Sequence, residues 1–237
     1  METLRGMMRR KLRDAAQARK PVVEVPTLFE KRAHFAKLDW LSGKGAAALA
    51  YCQRFAADPM NHKAPLLLSK SGTGKTHILF ATVRAICSRV CEEIDTVCAQ
   101  EESAADSSIE RWNGHENFGE IFPICSIAFT EGAEIAHDIR QSAKSKREDA
   151  LDRVVARYRQ EDAVEKKGTA ILFIDDIEVM KMGDWLNEEL YRIFNYRYKY
   201  GLPTPMATNL SMKALSAHLG ERITRRIGDM TQPFSIE

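Results

Sequence analysis

Ser69-Lys70-Ser71-Gly72-Thr73-Gly74-Lys75-Thr76 follows the apolar run Pro65-Leu66-Leu67-Leu68 and precedes the helix-like stretch His77-Ile78-Leu79-Phe80. A buried strand, a glycine turn and a helix, in that order, is what a phosphate-binding loop needs. The two glycines let backbone N–H groups turn inward around an anion. The Lys75 side chain is long enough to reach the β- and γ-phosphates, and the Thr76 hydroxyl suits a place on Mg²⁺. The helix behind the loop aims the positive end of its dipole at the same charge. Ser71, Gly72, Thr73, Gly74, Lys75, Thr76 and His77 are therefore the expected nucleotide-binding residues, with a nucleoside triphosphate and Mg²⁺ as the ligands. The pattern G-x-x-x-x-G-K-[ST] is altered only at the entry to the turn, where Ser69 replaces its first glycine.

A second stretch points the same way. Ala170-Ile171-Leu172-Phe173-Ile174-Asp175-Asp176 is an apolar run ending in two carboxylates, the pattern of a buried parallel strand with acids at its tip. Ligands of α/β sheets sit at the carboxyl ends of the strands, so these acids are expected to face the phosphate loop. Asp175 would hold Mg²⁺, directly or through water, and Asp176 would polarise the attacking water. Two acids after a strand also suit a solvated turn; the loop upstream favours the nucleotide.

Around these two landmarks the chain of 237 residues is long enough for one α/β domain with a short appendage. Its formal charge of +2 says little, but the charge is unevenly placed. Residues 1–20 carry a net +5 and residues 92–120 a net −8, which reads as separate surface modules. No apolar stretch is long enough to cross a membrane, and the basic start is not followed by an apolar segment. The five cysteines form no C-x-x-C pair. Cys87 and Cys91, one helical turn apart, suit a buried helix face better than a metal site. A reduced, cytoplasmic protein is expected.

The pattern predicts residues 1–35 as a basic helix and linker, a possible partner-docking segment, and residues 36–237 as the ATPase domain. Within the latter, helices are expected over 46–57, from Thr76 to about Val90, and from Glu131 into the charged stretch Arg140 to Arg159. Two more are expected, Asp184 to Tyr200 with Asp184 as cap and Gly201 as stop, and roughly Lys213–Arg226. Strands fall at 65–68, 122–129, 170–174, 206–208 and 233–236. The acidic region 92–120 reads as an insertion or mobile loop. Alternating strands and helices give a parallel sheet covered by helices on both faces.

Three further pieces carry a resemblance. Ala207-Thr208-Asn209 ends a strand where AAA+ ATPases have a polar sensor, and Thr208-Asn209-Leu210-Ser211 leads to Leu219-Gly220-Glu221-Arg222-Ile223-Thr224-Arg225-Arg226-Ile227. This block resembles the corresponding segment of DnaC/DnaI-type replicative helicase loaders, which are related to IstB-type transposition helpers; the likeness spans about residues 60–237. It implies a P-loop (AAA+) domain without a C-terminal lid. It implies Asn209 as a sensor of the γ-phosphate. Arg226 is the first choice, Arg222 the second and Arg225 the third, for an arginine finger acting on the ATP of a neighbouring subunit. It also implies a hexameric replicative helicase and single-stranded DNA as partners. The arginines equally suit a solvated helix end. The family places Glu after the Mg²⁺-binding Asp; Asp176 is one methylene shorter, so ATP hydrolysis is expected to be weak even where binding survives.

Arg140, Lys144, Lys146 and Arg147 are the expected contacts to DNA, since the loaders run a helix along single-stranded DNA hereabouts. Glu148, Asp149 and Asp152 interleave with them, as on a solvated charged helix. Four functions compete: a helicase loader, an IstB-like helper that binds duplex DNA and a transposase, a non-hydrolysing ATP-switched adaptor, and a small-molecule or nucleotide kinase. A kinase needs an arginine-bearing lid, which the 92–120 segment, with only Arg111, supplies poorly.

Overall fold

The computed structural model describes residues 33–103, 124–162, 169–179 and 183–236. The basic helix expected at the start of the chain lies outside them, as does residue 104 onward of the acidic region. Five strands form one sheet: β1 (Ala64–Leu68), β2 (Ile124–Glu131), β3 (Thr169–Asp175), β4 (Met206–Thr208) and β5 (Thr231–Ser235). Their order is β2-β3-β4-β1-β5 and every pairing is parallel. Pro233, which has no N–H for the ladder, is accommodated because β5 is an edge strand.

Seven helices flank the sheet among the described residues: α1 (Gly43–Ala57), α2 (Lys75–Ser103), α3 (Gly132–Ala143), α4 (Ala150–Arg159), α5 (Asp184–Lys199), α6 (Met212–Leu219) and α7 (Glu221–Met230). Successive strand residues point to opposite faces, which divides the apolar runs between two cores. Leu67, Ile171, Phe173 and Ala207 meet α1 and α2 on one face. Leu66, Leu172, Ile174 and Met206 meet α3 to α7 on the other. With both faces covered, continuous apolar strands are the stable solution. Phe129 stacks between Phe80 and Phe173, with ring centroids 4.1 and 6.2 Å apart.

Several boundaries differ from expectation. Helix α2 continues to Ser103, so residues 92–103 are helix rather than loop. No Gly or Pro occurs between His77 and Asn113, and the net −8 that reads as a loop is carried by good helix formers. Ile94 remains buried, two turns beyond Ile86. The single helix expected over 213–226 is two, because Gly220 adopts φ 83° between them. Gly220 takes the last turn of α6 through its N–H on Ser216 O, and its carbonyl accepts both the N–H and the hydroxyl of Thr224. The charged stretch 140–159 is likewise split, residues 144–149 linking α3 to α4. At α5 the capping position falls to Gly183, and Asp184 is the first helical residue.

Candidate functional site

The phosphate loop leaves β1, the strand between β4 and β5, and ends in the first turn of α2. Gly72 and Gly74 sit at φ 83° and 93°, conformations that favour glycine. Ser69, where a glycine was expected, is buried and tied in: its N–H donates to Thr208 O on β4 at 3.2 Å, and its hydroxyl bonds the Thr73 hydroxyl across the loop. Serine thus closes the turn with a side-chain bond in place of glycine's freedom. The Trp40 indole lies against Gly74, where an added Cβ would come within 2.5 Å of it, and edge-on to His77. Trp40 was invisible to motif reading, since it precedes the loop by a whole helix and strand.

Lys75 Nζ donates to the carbonyls of Ser69 and Lys70, each at 2.9 Å, and to Asn209 Oδ1 at 2.8 Å. Burial lowers the Lys75 pKa, opposed by the nearby charges of Asp176, Glu178 and Asp175 in that order. Strand order explains the meeting. β4 lies between β1 and β3, so the residue at its tip, Asn209, stands between the loop lysine and the acids. Asn209 Nδ2 donates to Asp176 Oδ1 at 3.3 Å and also to Glu178 Oε1, which takes the Asn209 backbone N–H at 3.0 Å as well. Glu178 is thus a member of the site that motif reading passed over, two residues beyond the acid pair on a short 3-10 turn (Ile177–Val179).

Asp175 is buried and hydrogen-bonded to the Thr76 hydroxyl and, at 3.0 Å, to the Asp176 N–H. Burial raises its pKa; the Thr76 bond, the Asp176 N–H and Lys75 pull the other way, and Glu131 adds to the rise. The β2–β3 register sets Glu131 directly beside Asp175. Asp176 is at φ 46°, and burial, Asp175 and Glu178 raise its pKa. Gly132 makes this crowding possible: a Cβ there would stand 2.7 Å from Asp176 O and 3.0 Å from Ile177 Cα. A hydroxyl and a carboxylate side by side, Thr76 and Asp175, are oxygen donors of the kind Mg²⁺ accepts when phosphates supply the rest of its shell. The residues present therefore fit both a nucleotide phosphate chain and its metal ion.

The arginines of α7 form a second group, packed against α5. Arg222 stacks on Tyr191 at 4.3 Å. Arg226 lies over Tyr198 at 4.5 Å and donates through Nε to Asn195 Oδ1 at 3.2 Å. The two guanidinium groups lower the Tyr191 pKa through hydrogen bonds, Arg222 first. Arg225 is exposed, one step round the helix. An open groove of about 570 Å³ runs past Arg222, Tyr191 and Arg192 between α5 and the α6–α7 junction. Lys144, Lys146 and Arg147 are exposed on the link after α3, and Arg140 is exposed in the last turn of that helix. Because α3 starts against Asp176, its length puts this basic link roughly 18 Å away from the phosphate end of the sheet.

No protein-family model and no curated protein sequence matches the chain. Solved structures do. The crystal structure of the DnaC helicase loader superposes with a TM-score of 0.59 at 18% identity, over 89% of this chain and 99% of that one. This chain shares the fold of that structure. The crystal structure of DnaI gives a TM-score of 0.57 at 18% identity, over 94% of this chain and 96% of that one. The replication initiator DnaA bound to AMPPCP and single-stranded DNA gives 0.56 at 16% identity, over 88% of this chain and 50% of that one. The expected α/β fold, a parallel P-loop sheet with helices on both faces, is the observed one, and its structural neighbours include the DnaC helicase loader and DnaI. Among the described residues no helix is long and apolar enough to cross a membrane.

Proposed function

We propose that this chain is an ATP-binding AAA+ protein of DNA replication that works as a helicase loader. It binds ATP with Mg²⁺ through Ser71 to His77, with Thr76 and Asp175 on the metal ion. It hydrolyses ATP weakly, at a site completed by Arg226, or next by Arg222, of an adjacent copy. Single-stranded DNA contact falls to Arg140, Lys144, Lys146 and Arg147, and a hexameric replicative helicase is the partner, with residues 1–35 as docking segment. The observation that carries this reading is the set of bonds from Asn209 to Lys75, Asp176 and Glu178. A polar tip residue joined to both the phosphate-loop lysine and the acids is placed to respond to the γ-phosphate. Folded likeness to the loaders, and to a DnaA that holds AMPPCP and single-stranded DNA, supports the choice among P-loop functions.

The exposure of Arg225 and the stacking of Arg222 and Arg226 on tyrosines both leave a guanidinium on the surface of α7, where a second copy can meet it. The deciding experiment is phosphate release from ATP by the purified protein, with and without single-stranded DNA, across a range of protein concentrations. Release that DNA stimulates, and that rises faster than linearly with concentration, is expected of composite sites. ATP binding without release would favour the non-hydrolysing adaptor.

A further inference from the structure

The acid pair ends in Asp176, and a third carboxylate, Glu178, lies two residues later. We infer that Glu178, not Asp176, is the catalytic base that activates the attacking water. One carboxylate oxygen of Glu178 is anchored: Oε1 accepts both the backbone N–H and the side-chain N–H of Asn209. The other, Oε2, is shielded from solvent and has no hydrogen-bond partner in the protein. A base needs that division, one oxygen held for aim and one lone pair left for the water. Asp176 is placed differently. Of the three acids it bears most on the Lys75 charge, its backbone is held at φ 46°, and its bond from Asn209 is a long 3.3 Å. It serves as counter-charge to the lysine, and its shorter side chain no longer needs to reach the water.

Glu178 is held in place from both sides. The turn that carries it is closed by Val179 N–H on Asp176 O at 3.0 Å, and Ile177 beside it is fully buried in the core of the α3–α7 face. Asn209 therefore couples the tip of β4 to the base as well as to the loop lysine. In the reaction Glu178 Oε2 takes a proton from water as its oxygen bonds to the γ-phosphorus. The bond from the γ-phosphorus to the β,γ-bridging oxygen breaks, and ADP leaves with that electron pair. The proton then passes to the released phosphate or to solvent, and the carboxylate is regenerated.

This assignment rests on the reading of the chain as an ATP hydrolase, so ATP binding and phosphate release are measured separately on the full chain. Glu178→Gln is nearly isosteric, and its amide oxygen still accepts from Asn209. It should melt like wild type, bind ATP within about threefold of wild type, lose phosphate release by about 100-fold or more, and flatten the acid limb of the pH–rate profile. Asp176→Asn lowers release too, through the charge beside Lys75, but its residual activity keeps that acid limb. The assignment is overturned if Glu178→Gln keeps wild-type release, or if Asp176→Asn is the variant that flattens the profile. Loss of ATP affinity in Glu178→Gln in step with release would also overturn it, reducing Glu178 to a prop for Asn209. Wild-type protein that binds ATP and releases no phosphate would instead overturn the hydrolase reading on which all of this stands.

Discussion

Two buried cations, Lys75 and Arg197, sit at opposite ends of the same sheet in opposite surroundings. Arg197, near the end of α5, is 0% exposed. Its Nε donates to Thr204 Oγ1 at 2.8 Å, and its Nη1 to Gln160 Oε1 at 2.9 Å and to the carbonyls of Tyr158 and Arg159. Its Nη2 donates to the carbonyls of Ala170 and Pro203. Every one of these acceptors is neutral, so only dipoles offset its desolvation, and burial pushes its pKa down to about 9. It joins the end of α4, the start of β3 and the approach to β4. Lys75 is 5% exposed and has three acceptors, but three carboxylates also bear on it. One cation saturated with dipoles holds the amino end of the sheet together. The other, set among acids at the carboxyl end, is arranged for an anion that arrives with its own metal ion.

That contrast is open to attack in three ways, taken from the largest effect to the smallest. Arg197→Met leaves six oxygen acceptors short of a donor and should cost about 3–5 kcal/mol in urea unfolding. ATP affinity of the molecules that remain folded should not change. A loss below about 1 kcal/mol would mean that the dipoles do not hold the amino end. Lys75→Met, by contrast, should weaken ATP binding by about 100-fold in calorimetry, near 2.7 kcal/mol, and leave the unfolding midpoint almost untouched. Equal loss of stability in both variants would break the comparison. Alongside them, Arg226→Ala should keep ATP affinity while hydrolysis falls; equal loss of binding would remove the trans-finger assignment.

The third is a pH effect, given by direction. Asp175 has a raised pKa in the folded protein, so its ionised form opposes folding above that value, and the opposition is relieved as pH falls through it. Asp175→Asn should therefore stabilise the nucleotide-free protein at pH 7. The gain should disappear once the pH is below the ordinary carboxylate range, where both forms are neutral. The same variant should lose the Mg²⁺ dependence of ATP binding. A stability unchanged at pH 7 would mean that the Thr76 bond and the Asp176 N–H already offset the burial.

Much of this was legible because it is local. The glycines of the loop, the apolar run before it and the acid-tipped strand are each defined by contacts within a few residues, and the structure places them as read. Asn209 was expected only through the resemblance to AAA+ ATPases, and it does meet Lys75. Misreadings arose where composition stood in for packing. The acids of residues 92–103 look like a loop, yet Ile94 anchors the helix that carries them. Gly220, in a helical pattern, is a break because its φ of 83° ends one helix and starts the next. Arg197 reads as one of the polar residues of an amphipathic helix, and nothing nearby in sequence announces that acceptors from three other segments close over it.

The sequence by itself determined the phosphate loop, the carboxylates and the parallel sheet, since backbone conformation and apolar periodicity are set by neighbouring residues. The tertiary structure alone decided that β4 enters between β1 and β3. That order brings Asn209 to both Lys75 and Glu178, residues 134 and 31 positions away, and makes one site of three strand tips. Pairing between distant strands depends on the whole chain's burial of its two cores, which no local pattern encodes.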